Sequence, residues 1–329
     1  MRSKRLCAIT LAVSMCLGLF PFQNLQVKAQ EQEEAVAWDA NDAAGREKLN
    51  FNQGWKFKRE YREEAIQPDY RLDELKNWEN VNLPHTVRLE KYMNSGVGET
   101  YQGDAMYVKH FPVDEKYRGK KLYLKFEGVM GVTDVWVNGT HMNTALASET
   151  GDNTMYGGYL PFVIDISNVI DYGEDSDNVI TVYTTNQDDG NVPPGKPASQ
   201  LDFTYFGGIY RDVYMEICEP VHITDANYEN IEAGGGILVD YPEVSEEKAI
   251  VDVNTHIRNE SSENQNVTIN TQIIDADDNV VAEGTESSSV NAGEDTTFEQ
   301  ELTVEEPKLW NLDTPYMHTL VSTVLVDNK

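Results

Sequence analysis

Three aspartates, Asp188, Asp189 and Asp202, stand in one run, NQDDGNVPPGKPASQLDFTYFGGIYRDV, which spans residues 186–213. A carboxylate is an acceptor-only group that can take hydrogen bonds from two adjacent hydroxyls. The run begins where a predicted strand over 179–183 gives out, and a new strand is expected over 209–214. Between them, three prolines, glycines and the acidic side chains make a long, stiff, polar loop that cannot continue a ladder. Braced loops between strands are where binding residues tend to sit. From residue type alone, the commoner role of an Asp such as Asp202 is to cap a turn through its own backbone. Asp188 and Asp189 are further candidates of the same kind.

Other residues invite chemistry and lose it on inspection. Asp275-Ala276-Asp277-Asp278-Asn279 begins like a calcium loop and has Glu286 in the twelfth position. The sixth position needs glycine and holds Val280, and the flanks read as strands, so a polar hairpin turn is expected. His85 lies alone between Pro84 and Thr86, with no second ligand at metal spacing, and reads as structural. Trp136 could stack on a sugar ring or cover a sheet, since Val135 and Val137 point the other way. Glycosylation sequons begin at Asn138, Asn259 and Asn266.

The elements that must position these groups are strands. Leu122, Leu124 and Phe126 alternate with Lys121, Tyr123, Lys125 and Glu127, the period-two signature of a strand with one buried face. Asn138-Gly139 predicts a type I′ hairpin. Short strands bounded by Gly, Asp and Asn clusters, with hardly any helical periodicity, give an all-β fold, a sandwich or barrel. Near Glu219-Pro220 the composition shifts toward Asn, Thr, Ser and Glu. Beyond it, five to seven strands are expected, the count of an immunoglobulin-like sandwich.

The 329 residues carry 26 basic and 56 acidic side chains, a formal charge of −30. Such acidity argues against nucleic acid or an anionic membrane as partner. Residues 1–29 read as a cleaved signal peptide, with a basic start, an apolar core over 6–20 and Val27-Lys28-Ala29 before the cut. A secreted, extracellular or periplasmic location is expected. Of three cysteines only Cys218 lies beyond that leader, so no intrachain disulfide is expected. Residues 30–48 are polar and acidic and read as a lead-in.

Several short motifs, taken in order, carry a family resemblance. They are Gly54-Trp55-Lys56-Phe57, Leu83-Pro84-His85-Thr86, Tyr101-Gln102-Gly103, Asp134-Val135-Trp136-Val137-Asn138-Gly139, Gly157-Gly158-Tyr159-Leu160-Pro161-Phe162 and Gly207-Gly208-Ile209-Tyr210-Arg211-Asp212-Val213. Pro307-Lys308-Leu309-Trp310 closes the series. The chain resembles glycoside hydrolase family 2 from about Leu49 onward, and PPGKP with LDFTYFGGIYRDV leans toward the β-galactosidase branch. The resemblance implies a jelly-roll sugar-binding domain like galactose-binding domains over 49–219, then an immunoglobulin-like sandwich over 220–329.

By the same resemblance, Asp202 reaches the bound sugar, with Asp188 a weaker candidate, while Arg211 and Asp212 form a structural ion pair. The family's two catalytic glutamates, about 5 Å apart, sit on a (β/α)₈ barrel of roughly 250 residues. None of the glutamates here lies in an Asn-Glu context on an apolar strand of the barrel type, so no catalytic residue is assigned to this chain. No cofactor is expected in it, and the full-length enzyme could hold sodium or magnesium. The leading expectation is therefore the non-catalytic N-terminal portion of a secreted retaining β-galactosidase-like enzyme, partnered by a C-terminal barrel and a β-galactoside or related glycan. Two others stay open: a freestanding carbohydrate-binding module, and a spacer that only positions the barrel.

Overall fold

A computed structural model describes residues 45–88, 101–143, 153–203 and 205–327. The expected leader lies outside these residues. The fold is all-β: a jelly-roll sandwich followed by an immunoglobulin-like one. The first contains β1 (Arg46–Asn50), β2 (Trp55–Lys58), β3 (Glu79–Val81), β4 (Asp104–Val113), β5 (Lys121–Phe126), β6 (Val129–Met130) and β7 (Val132–Val137). It continues with β8 (Thr140–His141), β9 (Met155–Tyr156), β10 (Phe162–Asp165), β11 (Gly173–Thr185), β12 (Gly208–Ile209) and β13 (Val213–Cys218). One sheet runs β1-β13-β5-β10; the facing sheet runs β3-β2-β4-β11-β7-β8, with β9 beside β7. Aromatic side chains fill the space between, including Trp55, Phe57, Tyr107 and Phe126. Phe126 stacks on Phe162 with ring centres 4.7 Å apart.

The type I′ hairpin forms as its sequence requires. Asn138 and Gly139 both take positive φ, 48° and 77°, between β7 and β8. The Asn138 amide is fully used: Nδ2 donates to Val169 O and Asn178 Oδ1, and Oδ1 accepts from Val179 N.

Two expectations need correction. Arg46, Glu47 and Lys48 are not lead-in but part of β1, paired with β13 from Arg46↔Cys218 onward. Their strand carries no apolar period because polar contacts hold it. Arg46 faces Glu216 at 3.8 Å, Lys48 lies 3.8 Å over the Tyr214 ring, and Tyr117 Oη donates to Glu47. The strand expected over 209–214 is also broken. The chain leaves β12 after Ile209, crosses through Tyr210–Asp212 bonded to Gly128 O and Glu127 N, and joins a different sheet as β13.

The second sandwich holds β14 (Val221–Ile223), a helical turn at Ala226–Glu229, β15 (Ile237–Val244), β16 (Lys248–Asn259), β17 (Gln265–Ile274), β18 (Val280–Val290), β19 (Asp295–Glu305) and β20 (Thr319–Val326). In one sheet β16 pairs with β14 and β15 on one side and β19 on the other; the second runs β18-β17-β20. Its core is largely aliphatic, with Val253, Ile257, Val267 and Ile269 fully buried and Phe298 the main aromatic.

The outward face of β5, read from sequence as solvated, is the junction with the second sandwich. Tyr123 is only 7% exposed. Lys121 Nζ reaches Asp165 at 2.6 Å and Glu260 at 2.9 Å. Tyr123 Oη donates to Glu260 at 3.0 Å. Lys125 Nζ lies 2.6 Å from Asp225, which also caps the helical turn through Asn227 N and Tyr228 N. Buried His222 donates from Nδ1 to Glu219 O, and burial lowers its pKa to about 4. Cys218 is free and buried there, its thiol pushed up to about 12 by burial. A buried polar network of this kind is sensitive to the loss of any member.

Candidate functional site

The loop between β11 and β12 is held by polar side chains rather than by a ladder. Asn186, buried at its start, accepts from Gly103 N through Oδ1 at 3.0 Å and donates to Tyr101 O at 2.8 Å. Gln102 Nε2 then reaches Asp188 Oδ1 at 2.6 Å, Tyr205 Oη at 3.0 Å and Asn186 O at 3.3 Å. Ala198 N, opening a short 3₁₀ turn, donates to the same Asp188 oxygen at 2.9 Å. The Gln102 amide thus ties the first limb of the loop to the last, and the Asp188 carboxylate ties in the middle.

The double glycine lets the loop close. A Cβ on Gly207 would stand 2.8 Å from Asn186 Cγ. Gly208, at φ +110°, packs against Tyr107 Oη and the backbone of His85. Val87 N and His85 N donate to Gly207 O and Ile209 O, so the GGIYRDV segment lies against the Leu83–Val87 segment. Beside it, Tyr210 Oη donates to Gly158 O at 2.8 Å, which brings the turn at 157–160 to the loop.

The predicted residues separate clearly in this frame. Asp188 is spent on bracing. Its carboxyl is held below the usual range, first by the Gln102 hydrogen bond and then by Ala198 N. Asp189 Oδ1 accepts from Asn191 N and caps a local turn. Asp202 is exposed, and among the described residues it has no hydrogen bond or ion pair. Among the described residues no backbone N–H donates to its carboxylate. Phe203 and Phe206, 48% and 38% exposed, follow it in sequence, and Tyr159 and Leu160 are exposed on the adjoining turn. An unspent carboxylate with exposed aromatic rings nearby suits a ligand with hydroxyls and apolar C–H faces.

Arg211 and Asp212 do not form the expected ion pair. Asp212 Oδ1 accepts from Asn52 Nδ2 at 2.8 Å and Oδ2 from Tyr214 Oη, while Arg211 is exposed with its stem over Gly128. The break between β12 and β13 turns the two side chains apart. Trp136 covers the outer sheet face, stacked on His141 with ring centres 4.7 Å apart and 15° between planes. His85 is structural: Nδ1 meets Tyr107 Oη at 2.9 Å, its ring lies against Phe57, and burial lowers its pKa. Asp275 holds its own hairpin, accepting from Asp277 N and Asn279 N. Of the sequons, the Asn138 and Asn259 amides are committed inside the fold.

Sequence reasoning missed Gln102, Asn186 and Tyr205. The signal was present as an amide inside Tyr101-Gln102-Gly103 and another directly after a strand, but their meeting across a sequence separation of 84 is a product of topology.

Comparison with known proteins agrees with this architecture. The model of the glycosyl hydrolases family 2 sugar binding domain matches residues 47–220, and that of glycosyl hydrolases family 2 matches 238–329. A β-glucuronidase of Formosa agariphila is 31% identical over 291 residues, covering 85% of this chain and 28% of the relative. The β-galactosidase BoGH2A of Bacteroides ovatus is 31% identical over 287 residues, 85% of this chain and 30% of the relative. Among solved structures, a family 2 β-glucuronidase superposes with a TM-score of 0.74 at 29% identity, over 87% of this chain and 29% of that one. The chain thus spans about a third of the length of the curated relatives it matches. A sugar-binding model over more than half of the residues and relatives above 30% identity lead to one assignment: the chain belongs to glycosyl hydrolase family 2.

Proposed function

We propose that this chain is the non-catalytic N-terminal portion of an exported, retaining β-glycosidase of the β-galactosidase type, and that its β11–β12 loop presents Asp202 to the sugar. The single observation that carries the reading is the contrast within that loop: Asp188 is consumed by bracing, while Asp202 is exposed and unspent. The chemistry itself needs two glutamates about 5 Å apart, one as acid and base, the other as nucleophile. The described strands are all taken up by the two sandwiches, and the relatives are about three times longer, which supports the reading that those glutamates lie outside this chain. In the whole enzyme this chain orients the substrate. A carboxylate accepting from two hydroxyls of a terminal sugar fixes its angle to the nucleophile. The basic, apolar and small-residue order of the first 29 positions supports export.

A glucuronide is the second reading, favoured by relatives named β-glucuronidase. The test is a protein joining this chain to its barrel, assayed on aryl β-galactoside and aryl β-glucuronide. Preferential cleavage of the galactoside is expected. Preference for the glucuronide would move the specificity, and inactivity on every aryl β-glycoside would overturn the hydrolase reading.

A further inference from the structure

The longer sheet of the first sandwich is only partly covered on its outer face. Val135, Val137, Ile180 and Val182 point into the core, so Asp134, Trp136 and Tyr183 point out. Over β4 this face is closed by Leu75 and Trp78, which pack with Met106, Val108 and Val179. The cover ends at Tyr61, whose ring is 44% exposed and stands edge-on to Tyr183 with centres 5.3 Å apart. On the far side of β7, Tyr156 pairs with Val132, shares the outer face and is 40% exposed. Tyr183 and Tyr156 stand on strands two spacings apart, roughly 10 Å.

Between these rings lies a carboxylate that its neighbours hold still. Asp134 stands opposite Tyr183 in the β7–β11 ladder. Its Oδ1 accepts from His141 Nε2 at 3.0 Å and from Thr154 Oγ1 at 2.7 Å. His141 is itself fixed by its stack on Trp136, so the tryptophan braces the acceptor rather than serving as the platform. Among the described residues Asp134 Oδ2 accepts nothing. Beyond Tyr183, Asp104 accepts from its Oη at 2.9 Å. A braced acceptor between two exposed rings suits hydroxyl donors and C–H faces.

The setting narrows what can bind. β4, β11 and β7 are each paired on both sides, so the face offers no free edge to a polypeptide strand. Asp104 and Asp134, in a chain of formal charge −30, repel a polyanion. A neutral oligosaccharide meets neither objection. We propose that this face is a binding site for a neutral oligosaccharide, with Tyr61 and Tyr156 stacking on sugar rings and Asp134 accepting from a hydroxyl between them. The site goes beyond the role proposed for the β11–β12 loop and does not use Asp202. β4 starts just after Gln102 and β11 ends just before Asn186, so the strands that carry the face also carry the braces of that loop.

Isothermal titration of the 329-residue chain with neutral galacto- and xylo-oligosaccharides, and with oligogalacturonate as the anionic control, tests this. A neutral oligosaccharide should bind and oligogalacturonate should not. Tyr61→Ala should weaken binding about three- to tenfold, and Asp134→Asn by about tenfold or more. Because Asp134 also anchors His141 and Thr154, melting temperatures are recorded beside the titrations. Tyr61→Ala removes only an exposed ring and decides the matter if Asp134→Asn fails to fold. No binding of either neutral series at millimolar concentration would overturn the proposal, as would equal binding of oligogalacturonate. Binding lost in Asp202→Asn but untouched by Tyr61→Ala would put the sugar on the loop, overturning this site and leaving the Asp202 reading intact.

Discussion

The two sandwiches differ in where they leave apolar groups exposed, and the difference shows what each is built to meet. The first closes over an aromatic core, and its exposed Phe203 and Phe206 share a cross-braced loop with the exposed Asp202. The second has a smaller, mainly aliphatic core, and its exposed Trp310 and Met317 line an apolar groove with Val239, Val251 and Leu320. Rings on a loop with an exposed carboxylate suit a sugar, whereas the groove lining of the second sandwich holds no carboxylate. Exposed apolar surface thus takes its meaning from the polar groups next to it.

The comparison can be broken most forcefully at the first core. Phe126→Ala should cost about 3–5 kcal/mol and lower the first transition in calorimetry, leaving β17–β20 to unfold near their original temperature if the sandwiches are separable. Acid acts next, at the junction. The His222 pKa is lowered to about 4 by burial, among Tyr123, Glu260, Glu219, Lys121 and Arg46. The unfolded chain, with an ordinary histidine near 6.5, binds more protons in that window. The stabilisation is therefore complete above about pH 6.5 and lost as pH falls toward 4, by up to about 3 kcal/mol. Denaturant midpoints across this range should fall on acidification, and His222→Gln should flatten the profile.

A smaller effect is expected inside the loop. Gln102→Ala removes the tie among Asn186, Asp188 and Tyr205, and should cost about 1–2 kcal/mol, read as faster exchange at Ala198 N with the core unchanged. Least of all, Trp310→Ser in the 329-residue chain should alter stability by less than about 0.5 kcal/mol, because the ring is on the rim.

Much of the fold was legible because period-two alternation and Asn-Gly chemistry are local. Leu122, Leu124 and Phe126 face inward as their spacing requires, and Asn138 and Gly139 turn as their residue types allow. What stayed hidden depends on what lies opposite. Nothing in Arg46-Glu47-Lys48 signals a strand, since Glu216, Tyr214 and Tyr117 hold it. Tyr123 looked solvent-facing because its cover, Glu260 and Tyr228, comes from a second domain. In the site, family likeness pointed to Asp202 and Asp188 together, and only the geometry separates a brace from a free acceptor.

The most direct measurement is kcat/KM of the longer enzyme carrying Asp202→Asn, beside Asp188→Asn, on its best aryl glycoside. Losing a charged acceptor for substrate hydroxyls is worth about 1.5–3 kcal/mol, so Asp202→Asn should lower kcat/KM by about 10- to 150-fold with an unchanged melting temperature. Asp188→Asn should act through loop stability. A value for Asp202→Asn within about twofold of the parent enzyme, less than 0.5 kcal/mol, would contradict the assignment of this loop to the sugar.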